Sequence, residues 1–172
     1  FDKSGLYVSP VIHGPPRNYQ QEDPGYFEGL MQRAVLQNKS NCVVVYNQAM
    51  AGNNTWHATG LSQLLSAAPR GGEGGEETSL GREQMVAVAN LGLASTKKQM
   101  RERLSKACAL TGLEQMDMAM FEIDEAVLDH AGYLVSDSLA ALEQLCEEGK
   151  LRSYGVSISV APYTYHSPPL RK

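Results

Sequence analysis

No stretch of this chain is long and apolar enough to cross a bilayer. Runs such as Cys42-Val43-Val44-Val45-Tyr46 stop after a few residues, where a spanning helix needs roughly 20. Positive charge is also scarce. Lys and Arg number 15 against 19 Asp and Glu, the net charge is -4 and the pI is near 5.6. That balance excludes a general phosphate-binding surface and leaves only local basic contacts, such as Leu170-Arg171-Lys172. The three cysteines, Cys42, Cys108 and Cys146, are far apart, and no pair has metal-ligand spacing. His13, His57, His130 and His166 are equally dispersed, so no zinc motif exists. The glycines of Pro69-Arg70-Gly71-Gly72-Glu73-Gly74-Gly75-Glu76-Glu77 lack the following Gly-Lys-Ser/Thr of a phosphate loop, and their carboxylates would repel phosphate. There is no initiator Met, so the expectation is that a segment before Phe1 was removed or lies outside this sequence.

What remains is a chain of 172 residues, 42% hydrophobic and 20% charged, sufficient for one soluble globular domain with a core. An odd cysteine count without a disulfide pattern fits a reducing, intracellular compartment, whether cytoplasm or an organellar matrix such as the mitochondrial one. Cys42 and Cys146 sit among apolar residues and read as small core side chains.

Periodicity divides the chain into alternating strands and helices. Leu6–Gly14 reads as a first strand, and Asp23-Pro24 opens a helix that runs to about Asn38. Cys42–Tyr46 is a buried strand, and its unbroken apolar run suits a parallel sheet covered on both faces. A short helix is expected within 55–68, then a flexible Gly/Glu-rich loop over 69–80. Met85–Ala89 is the next strand, and Ser95 is placed to cap a helix through Leu110 whose charged face is solvated. Met116–Ile123 is a strand, Asp124, Glu125 and Asp129 an acidic loop, Ser136–Glu147 a helix and Ser153–Ser159 a last strand. An irregular, Pro-rich tail covers 161–172. Leu104, Leu142 and Leu145 are expected to face the sheet.

The most informative stretch runs from Leu142 to Ser157. An amphipathic helix is stopped by Gly149, Lys150 and Arg152 suit its negative end, and a strand follows with Gly155-Val156-Ser157. That is one α-to-β unit of a parallel α/β fold. A closed eight-stranded barrel takes roughly 250 residues, and this chain shows about five strands. It is therefore read as a partial (β/α)8 barrel, the visible part of a longer protein or a half barrel completed by another surface. The topological alternative is a flavodoxin-like open sheet.

Four segments resemble the aldo/keto reductase family. Leu6–Gly14 is similar to that family's "L.VS.LGLG" opening, and Arg33-Ala34 to the "RA" of its first helix. Residues 105–118, Ser-Lys-Ala-Cys-Ala-Leu-Thr-Gly-Leu-Glu-Gln-Met-Asp-Met, resemble "SL.RLG.DYIDL", and Gly149–Ser157 matches "GK.R..GVS". The resemblance spans nearly the whole chain as one domain, 1–172. It implies hydride transfer between a nicotinamide cofactor and a carbonyl, with a Tyr acid assisted by Lys, His and Asp.

Carried over residue by residue, that tetrad is substituted. The Asp position falls near Val43 or Val44, and the Tyr position in 48–52, which holds no Tyr; Tyr46 is the nearest phenol. The Lys position corresponds to Asn90 and the His position to Glu122. Ser157 matches the Ser that holds the nicotinamide amide, but Ile158 replaces the Asn that follows it. The family's phosphate-binding Lys and Arg belong to its last strand and helix, outside this chain. The expectation is a non-catalytic relative that binds no cofactor and serves as a structural subunit of a larger assembly, such as an organellar ribosome. Its partners would be protein subunits with at most limited RNA contact, and neither DNA nor a membrane. Two alternatives stay open. One is an NADP-dependent oxidoreductase seen as a fragment, with Tyr46, Tyr163 or Tyr165 as acid; the other is a small-molecule binding module.

Overall fold

The computed structural model describes residues 12–13, 33–34, 40–46, 62, 82–94 and 96–159. The expected loop at 69–80 and the tail at 161–172 lie outside them, as does nearly all of the helix expected from Asp23. The strands are β1 (Ile12–His13), β2 (Cys42–Tyr46), β3 (Val86–Asn90), β4 (Met118–Asp124) and β5 (Ser153–Ser159). A 3-10 turn at Arg82–Gln84 precedes β3; helix α1 (Lys97–Thr111) joins β3 to β4, and α2 (Glu125–Glu147) joins β4 to β5.

The strands form one five-stranded sheet in the order β1-β2-β3-β4-β5, and all neighbours are parallel. This order decides between the two topologies left open by the sequence. A flavodoxin-like sheet inserts β1 between β2 and β3. Here β2 pairs with β1 on one side and β3 on the other, so the flavodoxin-like alternative is corrected to the wall of a (β/α) barrel.

Strand alternation sorts the apolar residues into two layers. On the outer face, Ala87, Ala89, Ala119, Phe121 and Ile123 pack against Met100, Leu104 and Ala107 of α1 and Ala141, Leu142 and Leu145 of α2. Three alanines on that face let the helices approach closely. On the inner face, Cys42, Val44, Val86 and Val88 cluster with Met118 and Met120, larger side chains that fill a barrel interior.

Most local boundaries shift by one or two residues from the sequence expectation, but the start of the last helix moves eleven residues, from Ser136 to Glu125. The cap of α1 is Thr96, whose Oγ1 accepts from the Gln99 amide at 3.2 Å, one residue beyond Ser95. The acidic segment after β4 is not a loop. Asp124 closes the strand and Glu125 opens α2, which bends at Ala131 (φ -138°, ψ 30°) before its amphipathic half begins. The end of α2 is as the sequence requires. Gly149 takes φ 69°, which costs other residues strain. Its amide and that of Lys150 donate to the Cys146 and Leu145 carbonyls, each at 2.9 Å.

At the N-terminal edge of the sheet, Asp117 joins three strands. Its Oδ2 accepts from the Ala87 amide at 2.8 Å and meets Arg82 at 2.8 Å, while Oδ1 lies 3.6 Å from Arg152. Its carbonyl accepts from the Arg152 and Ser153 amides, and its own amide donates to Ala87. The carboxylate is buried, so this ion pairing is better shielded from water than a surface bridge.

Candidate functional site

In a (β/α) barrel the chemistry lies at the C-terminal ends of the strands. Register shows which residues meet there. Tyr46 pairs with Asn90 and Asn90 with Met120. Met120 pairs with Gly155, and Glu122 with Ser157 one layer higher. Glu122 and Ser157 are therefore neighbours on the inner face. Val44 pairs with Val88 and is buried in the inner apolar layer, one layer below Asn90. The residue that ends β2 at the rim is Tyr46, the phenol nearest to the expected Tyr position.

Asn90 is 4% exposed, and its Oδ1 accepts from the Gly92 amide at 3.3 Å. Gly92 has φ 66°, and the Leu91 amide donates to the Met120 carbonyl at 2.7 Å. Asn90 thus folds the chain back at the end of β3, a turn role that suits its short amide. It provides no cation. A cation does reach this end of the chain. Arg103, expected on a solvated face, instead donates through Nη1 to the carbonyls of Leu91 and Leu93. Ser138 ties α2 to the same segment, accepting from the Ala94 amide at 2.9 Å and donating to its carbonyl at 3.0 Å.

The described rim therefore offers one half-buried carboxylate, one half-buried hydroxyl and one buried amide, with its nearby guanidinium engaged by carbonyls. Glu122 and Ser157 can accept and donate hydrogen bonds to a ligand at the mouth. They do not by themselves make a dinucleotide site, because nothing among them would neutralise a pyrophosphate. Ile158, the residue after Ser157, is 67% exposed on the opposite face of β5. The cysteines offer no activated nucleophile. Burial pushes all three thiols up, Cys42 to about 11 with help from the nearby Asp117 charge, so each stays protonated at neutral pH. Among the described residues no group of His, Cys, Asp or Glu could hold a metal ion, and no helix is long and apolar enough to cross a membrane.

The sequence reading found Asn90, Glu122 and Ser157 and missed Asp117, Ser138 and Arg103. Asp117 carries a signal in retrospect. It is a lone carboxylate between Met116 and Met118 at a strand start, within the segment already likened to "DYIDL". Ser138 and Arg103 lie within helices and carry none.

No protein-family model matches the chain, and no curated protein matches it by sequence. Solved structures do match by fold. An aldo-keto reductase from Bacillus halodurans, in its holo form, superposes with a TM-score of 0.64 at 16% identity, covering 91% of this chain and 48% of that one. Aldose reductase from Giardia lamblia gives 0.59 at 17% identity, over 88% and 50%. An aldo-keto reductase from Klebsiella pneumoniae in complex with NADPH gives 0.60 at 15% identity, over 87% and 45%. The fold is thus that of an aldo-keto reductase, and the chain spans about half the length of these structures.

Proposed function

We propose that this chain is a non-catalytic protein of aldo-keto reductase fold that acts as a structural subunit of a larger assembly. The observation that carries this reading is Asn90. Where the resemblance expects a Lys to activate a phenol, a buried amide holds the Gly92 backbone instead. A phenol without a neighbouring cation keeps an ordinary pKa near 10 and is a poor proton donor to a developing alkoxide. The outer face of β5 is open to a cover, which later elements of a closed barrel or a partner would equally supply. Tyr154, Val156 and Ile158 alternate along it at 36%, 38% and 67% exposure, although the matching faces of β3 and β4 are buried under helices. An organellar ribosome is our candidate host for a subunit of this kind. The net charge of -4 favours protein contacts over RNA.

The test has two arms. The purified protein should reduce no common aldehyde with NADPH and should not quench NADPH fluorescence on titration. Turnover that survives purification and is lost in Tyr46→Phe would overturn the reading. Tagged protein recovered from cells should co-sediment with a large particle; recovery as a free monomer would remove the structural role.

An NADP-dependent reductase is the second reading. It is favoured by the pairing of Glu122 with Ser157 at the mouth and by the NADPH held by the Klebsiella structure. The same titration decides it, since saturable NADPH binding weakened by Ser157→Ala is expected only there.

A further inference from the structure

A second concave site lies on the outside of the sheet, between α1, the end of α2 and the turn before β4. It is a groove of about 460 Å³, within the range of small-molecule sites. Its apolar lining is Leu104 from one helix and Leu145 from the other, both buried, with the Cys108 thiol beside them. Burial keeps that thiol neutral, so the floor carries no charge at neutral pH.

The charged lining is asymmetric in its commitments. Arg101 is paired with Glu148, which also holds Lys97. Lys150 and Glu114 are different. Both line the groove, both are exposed, and among the described residues neither has an ion-pair partner, each other included. The walls that carry them are fixed. The Lys150 amide is held by the Leu145 carbonyl at 2.9 Å, and the Gln115 side chain donates to the Gly149 carbonyl at 3.0 Å across the groove. The site thus presents one uncommitted charge of each sign over an apolar floor.

We propose that this groove binds a small zwitterion with an apolar body, of the class of a hydrophobic amino acid or a short hydrophobic peptide. Its carboxylate meets Lys150, its ammonium meets Glu114, and its side chain lies on Leu104 and Leu145. A simple anion would face Glu114 and a simple cation Lys150, so only a ligand with both charges satisfies both walls. Its residues Glu114, Gln115, Gly149 and Lys150 precede β4 and β5, at the opposite end of those strands from Glu122 and Ser157, so the site does not depend on whether the rim is catalytic.

The experiment is an NMR titration of the isotopically labelled full chain with L-leucine, leucyl-leucine, N-acetyl-leucine and leucinamide. Saturable shifts are expected at the amides of Gln115, Gly149 and Lys150 with L-leucine or with leucyl-leucine. The one that binds tighter separates a free amino acid from a peptide end as the source. The two compounds with one charge capped should bind about tenfold more weakly, which corresponds to roughly 1.4 kcal/mol. Lys150→Gln and Glu114→Gln should each remove the preference for the uncapped form while the rest of the amide spectrum stays unchanged. Equal binding of capped and uncapped leucine, shifts that do not cluster at the groove, or no saturation up to the solubility of both leucine ligands would overturn the proposal.

Discussion

The two ends of the sheet are built differently. At the N-terminal edge, Asp117 gathers Arg82, Arg152 and the Ala87 amide and joins β3, β4 and β5 through one buried carboxylate. At the C-terminal rim, where barrels of this kind place their chemistry, the nearby guanidinium of Arg103 serves backbone carbonyls, and Asn90 serves a backbone amide. The N-terminal edge uses its charges to tie strands together. At the rim, Asn90 and Arg103 are occupied with holding the chain, while the half-buried Glu122 and Ser157 lie side by side on the inner face. The difference teaches that the described part of the fold is tied together by its helix-facing core and its lower clamp, while two polar groups near its mouth, Asn90 and Arg103, serve the backbone.

The comparison can be broken first through the core that both ends share. Leu142 is fully buried between α2 and the sheet, so Leu142→Ala should lower stability by about 2–5 kcal/mol in urea titrations. A near-neutral result would mean that α2 is not seated as described. Next is the clamp. Asp117→Ala leaves the Ala87 amide and two guanidiniums without their carboxylate, and the loss should be about 2–3 kcal/mol. The figure is set below a fully buried ion pair because the Arg82 and Arg152 side chains are 36% and 47% exposed.

At the rim the same kind of change should do less. Asn90→Ala removes one hydrogen bond to Gly92 and should cost about 1 kcal/mol. If it matched Asp117→Ala, the contrast between the two ends would be wrong. Alkaline titration sharpens the inner layer. Cys42 is raised from 9.0 to about 11, so its neutral form is favoured by folding. Its contribution is complete below 9.0 and is lost as pH rises toward about 11, and Cys42→Ala should flatten that loss in a stability–pH profile. The smallest effect belongs to Glu148, whose carboxyl is held below 4.5 by hydrogen bonds from Lys97 and Arg101. That contribution is present above 4.5 and disappears as pH falls through the lowered value. Glu148→Gln should shift the acid midpoint only slightly, since the group is at the surface.

Much of the fold was legible in the residues. Leu104, Leu142 and Leu145 are spaced for one helix face, and burial against the sheet follows from that spacing. Gly149 had to end α2 because little else tolerates its backbone angles, and Val43-Val44-Val45 reads as a strand covered on both faces because no polar residue interrupts it. These are local properties, fixed by side-chain periodicity and backbone sterics within a few residues. The residues of the mouth, Asn90, Glu122 and Ser157, were legible through their places at strand ends.

What the tertiary structure alone decided is every relation between distant residues. Sequence alternation allowed a barrel wall or an open doubly wound sheet; the pairing of β2 with both β1 and β3 chose the wall. Register set Tyr46 beside Asn90 and Val44 beside Val88, because a ladder fixes pairs between strands that a sequence alignment does not see. The clamp at Asp117 joins residues 30 or more positions apart, and so does the bond between Ser138 and Ala94. A carboxylate in a strand start or a serine in a helix looks alike in sequence whether it is solvated or buried. Only the packing of other elements removes water from it, and only then does its partner determine its role.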